Sequence, residues 1–419
     1  MDLFISDVLS QKNIKQLAFD FVPYYSTLKS KVGGILSPKT IASIKATLQE
    51  GKLKDVANII QNVLLEAENA SLDVAVIGES GAGKSSFINA LRGISQEEEG
   101  SAAVGVVETT MEKTPYQHPK YPNVTFWDLP GTGSPNFHPH KYLKMVRFSK
   151  YDFFIIISSS RFKNSDASLA QKIKDMGKKF YFVRTKVDID LYNENKSKPK
   201  SFKKETVLKQ IRDDCLANLI KIGVPEPRIF LVSSFDENDF DFPRLHEIML
   251  KELPACKRYI FVNQLSNWSE AFIEIKRDFL KEKIWLEALK SSALAFIPLV
   301  AFFSGFDLPQ QEKCLNHYRS CFGLDKKSIQ EIAQKLGTSV QEIESYTKSL
   351  NFWLLVRDDS IAANAKNCAE SCCSVTGCLQ SCVFQFCKTY LLHMKFLNTV
   401  VDDAKILLHK ISESKSKTM

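Results

Sequence analysis

The sequence predicts an α/β fold: a mostly parallel sheet organised around a phosphate-binding loop, with helical segments at both ends of the chain. Three observations carry this expectation. Gly78-Glu79-Ser80-Gly81-Ala82-Gly83-Lys84-Ser85 matches G-x-x-x-x-G-K-[ST] at every fixed position. The motif lies between a short apolar run, Asp73 to Ile77, and a helical pattern, Ser86 to Leu91. Further short apolar runs alternate with helical stretches until about Leu253, where strand signals stop.

Taken in order, residues 1 to about 36 are mixed and partly basic, with Gly33-Gly34 as a breaker. Ser37-Pro38 opens a helical pattern: Ile41, Ile44, Leu48, Val56, Ile60 and Leu64 recur at helical spacing, interrupted near Gly51. Two helices are expected there. Strands follow at Asp73–Ile77, Val124–Asp128, Phe153–Ile157, Phe180–Val183 and Ile229–Val232. Strands separated by helices argue for parallel pairing with both faces covered. His118-Pro119 to Asn123 reads as a hairpin turn, so one strand before Val124 is expected to be antiparallel. Residues 257–419 read as helices broken near Pro298, Pro309, Gly323, Gly337 and Gly377. The division is residues 1–70, an N-terminal helical segment; 71–254, the nucleotide domain; and 255–419, a C-terminal helical segment that packs with 1–70.

The loop composition is what a phosphate site requires. Glycines let the backbone turn so that successive N–H groups converge on one anion, and the helix N-terminus adds partial positive charge. Lys84 supplies a point charge for the β- and γ-phosphates, and Ser85 a hydroxyl for Mg²⁺. Asp128-Leu129-Pro130-Gly131 ends a strand. The Asp128 carboxylate is a metal candidate through water, and the Gly131 N–H a γ-phosphate donor. Thr185-Lys186-Val187-Asp188 ends another strand. Asp188 can accept from N1–H and N2–H of guanine, which adenine does not offer, and the Lys186 stem can cover the base. Thr185 stands where asparagine is usual. Ser233 and Ser234 close the last strand, where backbone N–H groups meet the guanine O6. The nucleotide-binding set is therefore Gly78, Glu79, Ser80, Gly81, Ala82, Gly83, Lys84, Ser85, Ser86, Gly131, Thr185, Lys186, Asp188, Ser233 and Ser234, and the cofactors are GTP/GDP and Mg²⁺. Residues 93–115 form a Gly-, Ala- and Glu-rich stretch of the kind that orders around a γ-phosphate. Thr110, or Thr109, is the candidate metal-sensing hydroxyl. Thr132 follows Gly131, so the water-positioning glutamine of small signalling GTPases is missing.

Composition narrows the field. A net charge of +8 over 419 residues permits attraction to an anionic membrane, but no basic run is interleaved with aromatics, so no nucleic-acid partner is expected. Six of ten cysteines fall between Cys368 and Cys387, not spread as a disulfide framework, and a reducing compartment is expected. No secretory signal is expected from MDLFISDVLSQKNIKQ, and Asp2 excludes myristoylation of the glycine type. The run Ala293–Phe303 is too short to span a bilayer.

With these motifs stand FINALRG, EEEG, VVETTM, HPKYPNVTFWDLPG, YDFFIIIS, FYFVRTKVD and DFPRL. The chain resembles the immunity-related GTPases, the interferon-inducible family acting on vacuoles around intracellular pathogens, from about residue 37 to about 411. Lys84 matches the effector-like branch, because the regulatory branch carries methionine there. The resemblance implies an α/β P-loop GTPase (Ras-like) domain and a helical domain formed from N- and C-terminal helices. It implies GTP hydrolysis, GTP-dependent dimerisation or oligomerisation across the nucleotide faces, and cytoplasmic molecules gathering on vacuolar or other endomembranes. It also implies dealings with regulatory family GTPases. A first-switch glutamate implicated in hydrolysis matches Glu108, which with Lys84 makes the catalytic set. Thr110 matches one of two switch threonines that pathogen kinases modify. Val104 occupies the other position, without a hydroxyl.

The family's membrane contact matches 368–397. Cys368, Cys372, Cys378 and Cys382, spaced mostly by four, join Phe386 and Tyr390 on one expected helix face, with acylation of Cys372, Cys373 or Cys378 as one reading. Small apolar core residues are the other reading, and the spacing does not suit zinc. Two functions stay open: a Mg²⁺-dependent GTPase stimulated by self-assembly, or a nucleotide-gated binding module that hydrolyses negligibly and regulates partners or membrane traffic. A P-loop ATPase is disfavoured by Asp188.

Overall fold

The computed structural model describes residues 14–30, 33–105, 113–131, 148–236, 239–264, 269–295, 308–356, 361, 363–366 and 378–418. The chain divides into two compact units, Ser71–Glu252, and Met1–Ala70 together with Leu253–Met419.

The second of these begins with α1 (Ile14–Leu28), which the mixed composition of the first 36 residues does not announce. Pro23 lies inside α1, where it removes a backbone hydrogen bond and crowds the preceding turn. Burial overrides that cost: Phe21 and Tyr25 are each 1% exposed and stack in one aromatic cluster with Trp285. Next come α2 (Pro38–Gln49), whose N-cap Ser37 accepts from Thr40 N, and α3 (Leu53–Asn69). Gly51, at φ +72°, makes the break between them.

In the other unit, the sheet begins with β1 (Leu72–Gly78), followed by α4 (Lys84–Arg92), β2 (Thr114–Gln117) and β3 (Val124–Asp128). Then come β4 (Phe153–Ser158), α5 (Asn164–Asp175), β5 (Phe180–Arg184), α6 (Val187–Ser197), α7 (Lys204–Lys221), β6 (Ile229–Leu231) and α8 (Phe242–Glu252). Among the described residues the strands form one six-stranded sheet in the order β2-β3-β1-β4-β5-β6. Its pairs are parallel except β2–β3, the hairpin expected from the turn at residues 118–123. Both sheet faces are covered, which is why β1, β4 and β5 read as continuous apolar runs. Ala75, Ile77, Phe154, Ile156 and Phe182 pack with Leu169 and Ile173 of α5 and Leu219 of α7. Val74 and Val76, out of phase by one, point to the opposite face. Phe87 of α4 and Phe242 of α8 meet at 5.5 Å between ring centroids.

The remaining helices belong with α1–α3. They are α9 (Ala255–Gln264), α10 (Glu270–Ala295), α11 (Leu308–Cys321), α12 (Lys326–Leu336), α13 (Val340–Ser345), α14 (Phe352–Val356) and α15 (Cys378–Thr418). α10 runs against both α15 and α3. Buried Lys283 of α10 pairs with Glu68 of α3 at 2.7 Å and donates to Tyr259 of α9 at 3.0 Å. Thus residues from both ends of the chain share one core.

Pro309 stands at a helix boundary, as expected: α11 begins at Leu308, and in its first turn the missing N–H of Pro309 has no helical partner to lose. Of the two readings of the 368–397 face, Phe386 and Tyr390 fit the core one. They are 4% and 7% exposed and stack at 5.9 Å, because α15 turns this side into the helical core. Cys387 beside them is 1% exposed. Cys368, Cys372 and Cys373 lie outside the described residues, as do Pro298 and Gly377. No helix among the described residues is long and apolar enough to cross a membrane.

Candidate nucleotide site

The motifs converge at the carboxyl ends of β1, β3, β5 and β6, the edge where open α/β sheets bind ligands. β1 ends at Gly78, where a Cβ would lie 2.1 Å from the Ile157 carbonyl of β4. Only glycine lets the two strands approach here. The chain then turns through Gly81 (φ +74°) and Gly83 (φ +89°), and α4 begins at Lys84. Ser80 and Gly81 are exposed, Ala82 is buried, and Ser86 lies half-buried in the first turn of α4.

Lys84 is 6% exposed and donates from Nζ to the Glu79 carbonyl at 3.1 Å, across the mouth of its own loop. Ser85 donates from Oγ to Asp128 Oδ2 at 2.7 Å, and Asp128 is fully buried. The phosphate-loop helix and the end of β3 thus present a hydroxyl and a carboxylate together. These hard oxygen donors suit Mg²⁺, which keeps several waters and takes one or two protein ligands. Leu129 N donates to Val76 O at 3.0 Å, which extends the ladder and sets the strand end that leads to half-buried Gly131.

Thr185 and Lys186 reach back to the same loop. Thr185 Oγ1 donates to the Ala82 carbonyl at 2.7 Å, and Lys186 Nζ to the Gly81 carbonyl at 2.9 Å. Lys186 has φ +58°, and this left-handed turn opens α6 and brings Asp188 into its first turn, half-buried. Arg184 is buried just before it and pairs with Asp190 at 2.6 Å. Burial pushes the Asp190 carboxyl above its ordinary range, opposed by Arg184 and reinforced by Asp188. Val232 N donates to Arg184 O at 2.8 Å, which puts buried Ser233 and half-buried Ser234 beyond the end of β6, beside the strand that carries Thr185.

The geometry adds residues that the motifs do not name. The Glu79 carboxylate accepts from Lys163 Nζ and, at 2.8 Å, from Ser165 Oγ. Burial opposes its charge, but these two donors prevail and hold the carboxyl below its ordinary range. Asp166, 2% exposed, accepts from Lys163 N and Ser158 Oγ, each at 3.1 Å. Burial nevertheless pushes its carboxyl up to about 6. The signal for Asp166 was present: an acid three residues into a helix is an N-terminal signature. Nothing local signals that Lys163 meets Glu79. Glu108, Thr109, Thr110 and Thr132 lie outside the described residues, and Val104 is exposed at the edge of that stretch.

Comparison with known proteins identifies the family. Residues 37–411 match the family model of interferon-inducible GTPases, a span that takes in most of both compact units. Interferon-gamma-inducible GTPase 10 of Mus musculus is 50% identical over 376 residues, covering 90% of each chain. T-cell-specific guanine nucleotide triphosphate-binding protein 2 of Mus musculus is 45% identical over 392 residues, covering 94% of each. Among solved structures, Toc33 from Arabidopsis thaliana in complex with GDP and Mg²⁺ is 16% identical and covers 51% of this chain and 92% of its own, with a TM-score of 0.34. That likeness is too slight to carry an argument. The family model and the two mouse relatives, spanning the phosphate loop, DLPG and TKVD alike, make the chain a GTPase that belongs to the interferon-inducible, immunity-related family.

Proposed function

We propose that the protein binds GTP with Mg²⁺ in the loop Gly78–Ser86 and hydrolyses it to GDP and phosphate, in a state completed by self-assembly across its nucleotide faces. The observation that carries the reading is the 2.7 Å contact of Ser85 Oγ with the buried Asp128 carboxylate beside a cradle of positive-φ glycines. Bound there, Mg²⁺ would neutralise charge developing on the β- and γ-phosphate oxygens. The chain's own groups do the rest. Backbone N–H groups from Gly81 to Ser86 orient the phosphates, and the Lys84 ammonium, already at the loop mouth, stabilises charge on the transferred group. Asp188 holds the guanine edge, Lys186 covers the base, and Ser233 and Ser234 close the pocket. Glu108 orients the attacking water, the task that Thr132 cannot perform as glutamine does. Thr110 contributes a hydroxyl to the metal.

We read the helical unit as the part that meets membrane at vacuoles containing pathogens, with Cys372, Cys373 or Cys378 as acylation sites. Regulatory members of the family are partners in the same reading. Hydroxylamine treatment that leaves membrane association unchanged would remove acylation from it.

Thr132 in place of the usual glutamine favours a second reading, the gated binding module with negligible turnover. GTP turnover per molecule against protein concentration, with Lys84→Ala as control, separates the two. A specific rate that climbs with concentration supports the assembling GTPase. A flat, very slow rate supports the binding module.

A further inference from the structure

Two carboxylates, Asp188 and Asp190, stand in the first turn of α6, and one buried arginine separates their roles. Arg184, 5% exposed at the end of β5, donates from Nη2 to Asp190 Oδ2 at 2.6 Å and from Nη1 to the Thr185 carbonyl at 2.9 Å. One planar guanidinium thus grips the Thr185–Asp188 motif from both sides. The Arg184 carbonyl accepts from Val232 N at 2.8 Å, which fixes its backbone to the end of β6. Among the described residues, Asp190 is engaged by Arg184, whereas no hydrogen bond or ion pair engages the Asp188 carboxylate.

Lys186 lies between the two gripped points and has φ +58°, one of two non-glycine residues with positive φ among the described residues. A side chain in the left-handed region is sterically costly and persists only where its surroundings hold it. Here Arg184 takes the carbonyl before it, and Lys186 Nζ donates to Gly81 O at 2.9 Å. Ile189 N and Asp190 N donate to the Lys186 carbonyl at 3.1 and 3.2 Å. This turn sets the start of α6, and with it the place of Asp188. Burial works against an ionised Asp190, Arg184 works for it, and the nearby Asp188 charge works against it. Without the guanidinium, Asp190 would be an uncompensated neighbour of the carboxylate proposed to read guanine.

We propose that Arg184, with Asp190 as its partner, is a positioning residue for guanine selectivity: it fixes the turn at Lys186 and occupies one carboxylate of α6, so that the other, Asp188, is left for the base. The base-reading role of Asp188 in this statement rests on the function proposed above.

The test uses the full chain and reads equilibrium affinity for GDP and for ADP, each with Mg²⁺, by competition with a fluorescent GDP. ADP calls on the same phosphate loop but offers Asp188 neither guanine donor. Arg184→Lys keeps the charge and loses the fork, and Asp190→Ala removes the partner. Each should weaken GDP roughly tenfold while ADP stays within about twofold, so the preference for GDP falls by about the same factor. Asp190→Asn keeps an oxygen acceptor for Arg184 and should recover part of the loss. A preference unchanged in both Arg184→Lys and Asp190→Ala overturns the proposal. So does a parallel fall of GDP and ADP affinity, which would mark a merely structural role. Should Arg184→Lys fail to fold, Asp190→Ala decides alone. Asp188→Asn tests the underlying reading separately: an intact preference for GDP sinks that reading, whatever Arg184 and Asp190 do. If Asp188→Asn abolishes the preference while Arg184→Lys and Asp190→Ala keep it, only the roles of Arg184 and Asp190 fail.

Discussion

Thr185 Oγ1 and the carbonyl oxygen of Ala82 lie 2.7 Å apart, joined across 103 residues of chain. A threonine hydroxyl here links the guanine motif to the phosphate loop, and Lys186 adds a second link at Gly81. The proposed base site and the proposed phosphate site are joined by these two contacts, so loosening either should be felt at the other.

Thr185→Val keeps the shape and removes the donor, leaving a buried carbonyl without its partner. Affinity for GDP and GTP should fall roughly tenfold, in line with about 1–3 kcal/mol for such a loss. Titration with a fluorescent guanine nucleotide measures it. Asp188→Asn should act differently, collapsing discrimination between GTP and ATP. Equal discrimination before and after would remove Asp188 from the base site.

Asp128→Asn preserves volume and the neighbour of Ser85 while removing charge. Nucleotide affinity in EDTA should stay within about twofold, and its enhancement by Mg²⁺ should disappear, with turnover down on the order of 100-fold. The comparison is Kd with and without Mg²⁺ for both proteins. A variant that still gains affinity from Mg²⁺ would show that the metal is held elsewhere.

Gly78→Ala should destabilise the α/β unit strongly, because its methyl would meet the Ile157 carbonyl at 2.1 Å. Neither backbone can retreat without parting β1 from β4. A loss of about 3 kcal/mol is expected, at the upper end for overpacking. Thermal melting reports it, and an unchanged Tm would show that the two strands part freely.

Glu282 gives a pH prediction for the helical unit. It is fully buried and accepts from Tyr25 OH and, at 2.7 Å, from Ile35 N. Burial raises its carboxyl from 4.5 to about 7, against these donors and Arg258. A folded value above the unfolded one stabilises fully below the unfolded pKa, and that contribution is lost as pH rises toward 7. His317 and His393, each pushed down to about 4 by burial, work the other way and cost stability as pH falls below 6.5. The Glu282→Gln variant isolates the carboxyl. Between pH 5 and about 7 the native chain should lose stability relative to the variant, read as the difference in Tm at each pH. Parallel Tm curves would exclude Glu282 as the titrating group.

Much of the site can be read locally. An apolar run, two glycines that must turn left-handed, a lysine and a hydroxyl have to be contiguous to make a phosphate cradle, so Gly78–Ser85 declares itself. The antiparallel β2–β3 pair was legible from its turn. α1 was not: Pro23 argues against a helix, and only contact of Phe21 and Tyr25 with Trp285, more than 250 positions away, reverses the balance. Phe386 and Tyr390 also show the limit of periodicity, which finds an apolar helix face without saying whether lipid or protein covers it.

By itself, the sequence determined the α/β class and the order of the motifs proposed to hold phosphate and guanine, because each depends on neighbours a few residues apart. The tertiary structure decided which distant groups meet. Strand order brings Asp128 to Ser85 and Thr185 to Ala82. Helix α5 brings Lys163 to Glu79, and α4 ties Ala102 to Asn89 and Gln117 to Arg92. Such pairings leave no local pattern, since a hydrogen bond across tens of residues exists only once packing of the sheet and its helices has fixed both partners in place.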